Sequence, residues 1–75
     1  EYQTMLDFFV KSPYLLARRV LPSMKARRRG RIINIGTELL ARGVPHTSAY
    51  ATAKAGQHGW TRSMAVELAP HGITI

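Results

Sequence analysis

The 75-residue chain has no cysteine, four acidic residues and no long apolar run. Without cysteine there is no disulfide framework and no thiolate metal site. We expect a reducing, cytoplasmic setting. No stretch approaches the roughly 20 apolar residues that span a bilayer, and no secretory leader pattern opens the chain, so no membrane role is expected. His46, His58 and His71 are scattered without metal-ligand spacing. Seventy-five residues make at most one small domain, which is marginal without staples. The opening at Glu1 and the close on "GITI", an apolar β-branched run that resembles an unfinished strand, lead us to expect an excerpt of a longer protein.

Basic residues are abundant: 11 Lys and Arg give a net charge of +7. Many sit in "KARRRGR", residues 25–31. Such a run suits either a nucleic-acid patch or a solvated helix end, where cations complement the negative end of the macrodipole. No nucleic-acid motif surrounds it, and we expect the helix end.

Met5, Phe8, Phe9, Leu15, Leu16, Val20 and Met24 recur at helical spacing and predict a helix over residues 1 to about 28. Pro13 and Pro22 predict a kink or break, and Gly30 a stop. "RIINI", residues 31–35, predicts a buried strand of a parallel sheet. Residues 36–46, with Gly36, Gly43 and Pro45, predict a loop. A second helix is expected from Ser48, capped by Thr47 or Ser48, to about Ala69, some 33 Å long. It should stop at "PHG", residues 70–72, with "ITI" as a second strand. The order αβαβ contains a βαβ unit, with its right-handed crossover. The fold class is therefore α/β.

In "SAYATAKAG", residues 48–56, Tyr50 and Lys54 stand four apart in an alanine-rich helix, which places a phenol and an ammonium on one face. Thr37 follows the predicted strand, where open α/β sheets bind ligands. An ammonium about 4 Å from a phenol, at an effective dielectric near 20, favours the phenolate by roughly 4 kcal/mol. A nearby hydroxyl can hydrogen-bond a carbonyl or alkoxide. Each feature also has a plain structural role: a chance pair, a turn threonine, and small residues (Ala51, Ala53, Ala55, Gly56, Gly59) that allow close packing. Trp60 and Met64 suit a core or an interface, and Asn34 a structural role within the strand.

Together, "GRIINIGT" and "PHTSAYATAKAGQHGWTRSMAVELAPHGITI" resemble the central part of a short-chain dehydrogenase/reductase. The family's Tyr-x-x-x-Lys motif falls on Tyr50 and Lys54, and its catalytic serine, 13 residues earlier, on Thr37. The resemblance implies part of a Rossmann-type doubly wound parallel sheet in an NAD- or NADP-dependent oxidoreductase. The cofactor's glycine-rich turn would precede Glu1, and the family's Pro-Gly segment would follow Ile75. Tyr50 would be the general acid/base. Lys54 would favour the ionised phenol and bind the nicotinamide ribose, with Tyr50 also at the cofactor. Thr37 would stabilise the substrate oxygen of a small carbonyl or alcohol. The two long helices would build a homodimer or homotetramer. Two positions depart from the family pattern. Thr37 replaces serine with a hydroxyl on a stiffer side chain. Phe9 replaces an asparagine of the proton relay, and a phenyl ring cannot hydrogen-bond the relay water. Phe9 and Thr37 also leave open a catalytically altered relative that serves as a binding or scaffold protein.

Overall fold

A computed structural model describes residues 1–37, 43, 45 and 47–75. Along the chain run α1 (Tyr2–Leu6), a π turn (Asp7–Lys11), α2 (Ser12–Arg27), β1 (Gly30–Arg31), α3 (Ser48–Leu68), a 3-10 turn (Ala69–His71) and β2 (Ile73–Thr74). β1 and β2 pair in parallel, Gly30 opposite Ile73 and Arg31 opposite Thr74, so α3 is the crossover of a βαβ unit. The expected αβαβ order is present. Most of the predicted 36–46 loop lies outside the described residues, among them His46.

The first helix answers its two prolines differently. Pro13 has no N–H for the carbonyl of Phe9, four residues back, and its ring crowds that carbonyl. The turn before it widens: the Ser12 N–H donates to Asp7 O, a five-residue step. Pro22 is accommodated inside α2. The helix ends earlier than Gly30, through Arg28 in the left-handed conformation at φ 55°. The Arg28 N–H donates to Lys25 O and the Arg29 N–H to Met24 O, both at 3.1 Å, which satisfies two of the last carbonyls. Gly30 instead opens β1, and a Cβ there would press on the Met24 side chain.

The basic run has structural employment. Arg27 Nε donates to Ser23 O at 3.4 Å, Arg28 Nη2 to Pro70 O at 3.3 Å, and Arg31 Nε to Thr74 Oγ1 at 3.4 Å. The last two tie the end of α2 and β1 to the turn after α3 and to β2.

The core is small: Ala17 and Leu21 from α2, Leu68 from α3 and Ile73 from β2, with Met24, Ile32, Trp60 and Met64 packed against it. Trp60 and Met64 thus belong to the core. The helical apolar pattern of α1 and α2 proves wider than the buried face, because Phe8, Leu15, Leu16 and Val20 are exposed. The predicted 31–35 strand is shorter than expected. Its ladder covers Gly30 and Arg31, and the Ile32 N–H adds a bond to Thr74 O at 2.9 Å. Beyond that bond the chain is extended without a ladder, and Ile33 and Ile35 are 75% and 71% exposed. β-branched residues favour an extended backbone, but only a paired neighbour makes a strand, and among the described residues none flanks residues 33–35.

The long helix matches its expectation closely. Thr47 is the N-cap residue, and the Ala51 N–H donates to Thr47 O at 2.7 Å, although the Thr47 side chain makes no capping bond. Small residues let α3 approach the first helix. Ala53 is fully buried, and a Cβ on Gly56 would lie 3.3 Å from Val10 Cγ2. At the far end Gly72 adopts φ 74°, and a Cβ there would meet Arg28 O at 2.5 Å. Gly72→Ala should therefore cost more than about 1 kcal/mol, from both backbone strain and the clash. Leu68→Ala, at a side chain 1% exposed, should cost about 2–5 kcal/mol. Denaturant unfolding of the full-length protein carrying this segment measures both.

Candidate active site

Helix α3 presents one continuous face to the rest of the chain, and its character changes along its length. Tyr50, Ala53, Lys54, Gln57 and Thr61 occupy the first four turns, and Trp60, Met64 and Leu68 the later part, the two sets meeting at Trp60 and Thr61. Residues three and four apart share a helical face, so the stripe follows from the spacing. The apolar half holds the core. The polar half faces the extended segment that follows β1.

Lys54 is the centre of that polar half. It is 7% exposed, and burying an ammonium is costly unless it is paired. Its Nζ donates to the backbone carbonyl of Ile35 at 2.8 Å and to Gln57 Oε1 at 3.3 Å. It also lies 4.4 Å from the centroid of the Phe9 ring. Hydrogen bonds to a charged group contribute about 1.5–3 kcal/mol, and a desolvated cation–π contact about 2 kcal/mol. Among the described residues none of these partners is a carboxylate. The cation is held by a carbonyl dipole, an amide oxygen and a π face.

A second tie fixes the same segment. Asn34 Nδ2 donates to Thr61 Oγ1 at 2.8 Å, and the Thr61 hydroxyl donates to Gln57 O at 2.8 Å. Asn34 thus has the structural role expected of it, pinning residues 34–37 onto α3. Between segment and helix lies a cleft of about 510 Å³, bordered by Asn34, Gly36, Thr37, Lys54, Gln57, His58 and Thr61. This volume falls within the roughly 300–1,000 Å³ of small-molecule sites.

Thr37 and Lys54 therefore border one cleft. Tyr50 lies on the other side of Lys54, in an apolar cup of about 400 Å³ with Thr4, Met5, Phe8 and Phe9. Its ring meets that of Phe9 edge-on, with centroids 5.3 Å apart and planes at 88°. Phe9 is the side chain common to both members of the Tyr-x-x-x-Lys pair. Gln57 and the Ile35 carbonyl had not been singled out. Gln57 had a usable signal, three residues after Lys54 on the same face. A backbone carbonyl carries no residue-type signal at all.

Among the described residues no group of acidic or histidine side chains is arranged to hold a metal ion. No described helix is long and apolar enough to cross a membrane.

The whole chain, residues 1–75, matches the short chain dehydrogenase family. It is 48% identical over 59 residues to 2,3-dihydroxy-2,3-dihydro-p-cumate dehydrogenase of Pseudomonas putida, an overlap of 79% of this chain and 23% of that protein. It is 39% identical over its full length to 3-oxoacyl-(acyl-carrier-protein) reductase FabG of Vibrio cholerae, covering 31% of that protein. Among solved structures, one described as a dehalogenation enzyme superposes with a TM-score of 0.94 at 31% identity, over 99% of this chain and 30% of that one. The chain thus spans about a quarter to a third of the length of these relatives.

Proposed function

Because the chain belongs to the short-chain dehydrogenase/reductase family, we propose that the protein carrying it is an oxidoreductase that interconverts a carbonyl and an alcohol with NAD or NADP. The observation that carries the proposal is the buried Lys54 ammonium. It is anchored to the backbone just before Thr37 and shares Phe9 with Tyr50. Among the described residues this buried cation has no carboxylate partner, an unfavourable arrangement for stability alone and a useful one at a site that binds polar groups.

In the reductive direction, the Tyr50 hydroxyl gives its proton to the substrate oxygen as the carbonyl becomes an alcohol. In the oxidative direction, the phenolate takes that proton back. Thr37 donates its hydroxyl to the same substrate oxygen, where negative charge develops. The residues present suit a nicotinamide cofactor. Lys54 has three N–H donors, of which Ile35 O and Gln57 Oε1 take two among the described residues, and the third would serve a ribose hydroxyl. The cleft beside Lys54 and Thr37 has room for a ring-sized group. When bound, the cofactor supplies or accepts the hydride. Phe9 supports a second reading, a relative with altered catalysis that binds without turning over, because it replaces a hydrogen-bonding amide with a ring.

Kinetics of the full-length protein separate the two. Tyr50→Phe removes the transferable proton and keeps the ring, so kcat should fall about 10²- to 10⁴-fold. Lys54→Ala should weaken both turnover and cofactor binding. Thr37→Ala should lower kcat about 10²-fold, and Thr37→Ser should be tolerated. Unchanged kcat in Tyr50→Phe would reduce the phenol to a packed ring.

We also assign the exposed Tyr14, Leu15, Leu16 and Val20 of α2 to contact with a second copy of the protein. Trp60 and Met64 are committed to the core. These exposed apolar side chains, with the small exposed Ala55 and Gly59 of α3, suit contact between the two long helices of neighbouring copies. Light scattering of the full-length protein should give a dimer or tetramer mass; a monomer at tens of micromolar would contradict the assignment.

A further inference from the structure

The acid–base pair is touched by one aromatic side chain. Lys54 Nζ lies 4.4 Å from the Phe9 centroid, and the Tyr50 ring stands edge-on to the same ring at 5.3 Å. Phe9 is itself braced by Phe8, whose ring centroid is 4.9 Å away at an interplanar angle of 68°. Its backbone belongs to the π turn Asp7–Lys11, which ends just before Pro13. That turn is seated against α3 at Val10 and Gly56, where a Cβ on the glycine would come within 3.3 Å of Val10 Cγ2.

We propose that Phe9 is the positioning residue of this site, one ring that fixes both the Lys54 ammonium and the Tyr50 phenol. The proposal rests on the reading of Tyr50 and Lys54 as the acid–base pair. Its physical content is specific. A π face attracts a cation through the ring quadrupole without forming a hydrogen bond, and so leaves an N–H of the ammonium free for another acceptor. An edge-to-face ring pair limits the tilt of the phenol. An amide at position 9 would instead compete for the Lys54 donors and offer no face to Tyr50. Where the family pattern has an asparagine, position 9 thus offers the ammonium a π face beside its hydrogen bonds to Ile35 O and Gln57 Oε1.

The comparison that isolates the face is Phe9→Leu against Phe9→Tyr in the full-length protein. Leucine keeps apolar bulk without a π face, and tyrosine keeps the ring. With isotopically labelled lysine, the Lys54 ε-methylene protons should be shifted upfield by ring current in the parent and in Phe9→Tyr, and lose that shift in Phe9→Leu. Turnover should follow: kcat about 10- to 30-fold lower in Phe9→Leu, with KM for the carbonyl substrate unchanged, and within about threefold of the parent in Phe9→Tyr. Thermal unfolding of both variants establishes that they are folded. If Phe9→Leu fails to fold, Phe9→Met serves the same comparison. Lys54 resonances and kcat that are the same in the leucine and tyrosine variants would overturn the positioning role. The resonance measurement needs no turnover. A lost shift in Phe9→Leu therefore supports the hold on Lys54 even if Tyr50→Phe proves fully active, and an unchanged shift removes it even if Tyr50→Phe is inert.

Discussion

A buried ammonium with no carboxylate beside it among the described residues organises this segment. Lys54 reaches the Ile35 carbonyl, Gln57 and the Phe9 ring, and the first and last of these contacts each join a different part of the chain to α3. The carbonyl holds the extended segment after β1, which carries Thr37. The ring holds the π turn of the first helix. Gln57 orients the cation from within its own helix. Removing one partner would leave the others to hold an incompletely satisfied charge in a low-dielectric setting, which is costly. The site and the packing of the first helix against the third are therefore parts of one arrangement.

The rest of the fold supplies the frame for that contact. The parallel pairing of Gly30 and Arg31 with Ile73 and Thr74 sets where α3 crosses, and the Asn34–Thr61 hydrogen bond keeps the extended segment on the helix. Pro13 widens the turn before it, the turn that bears Phe9. Much of the apolar surface remains open, as at Ile33, Ile35 and Val66. In a doubly wound sheet, such surface faces neighbouring strands and helices.

Elements written in local chemistry were legible in the sequence. The alanine-rich run, Thr47 before it and "PHG" after it place α3 within a residue of where it lies. The Tyr-x-x-x-Lys spacing and Thr37 marked the candidate site, and the family followed from the flanking residues. Features that depend on distant partners were not legible. "RIINI" has the composition of a buried strand, but pairing ends at Ile32, and Ile33 and Ile35 face outward. Gly30 reads as the helix stop, although Arg28 takes the left-handed position two residues earlier, where carbonyl capping offsets its strain. Phe9 was visible as a departure from the family pattern. That its ring bears on both Tyr50 and Lys54 depends on how two helices meet, 41 and 45 residues apart along the chain.

The central claim is that Tyr50, Lys54 and Thr37 serve hydride exchange at a carbonyl carbon. Its most direct measurement uses the full-length protein with NADH and NADPH deuterated at either face of nicotinamide C4, and a panel of small ketones. Mass spectrometry of the alcohol product locates the label. The account predicts deuterium on the carbinol carbon, delivered from a single face of one of the two cofactors. Alcohol formed without deuterium from either face, or no alcohol with either cofactor across the panel, would contradict it.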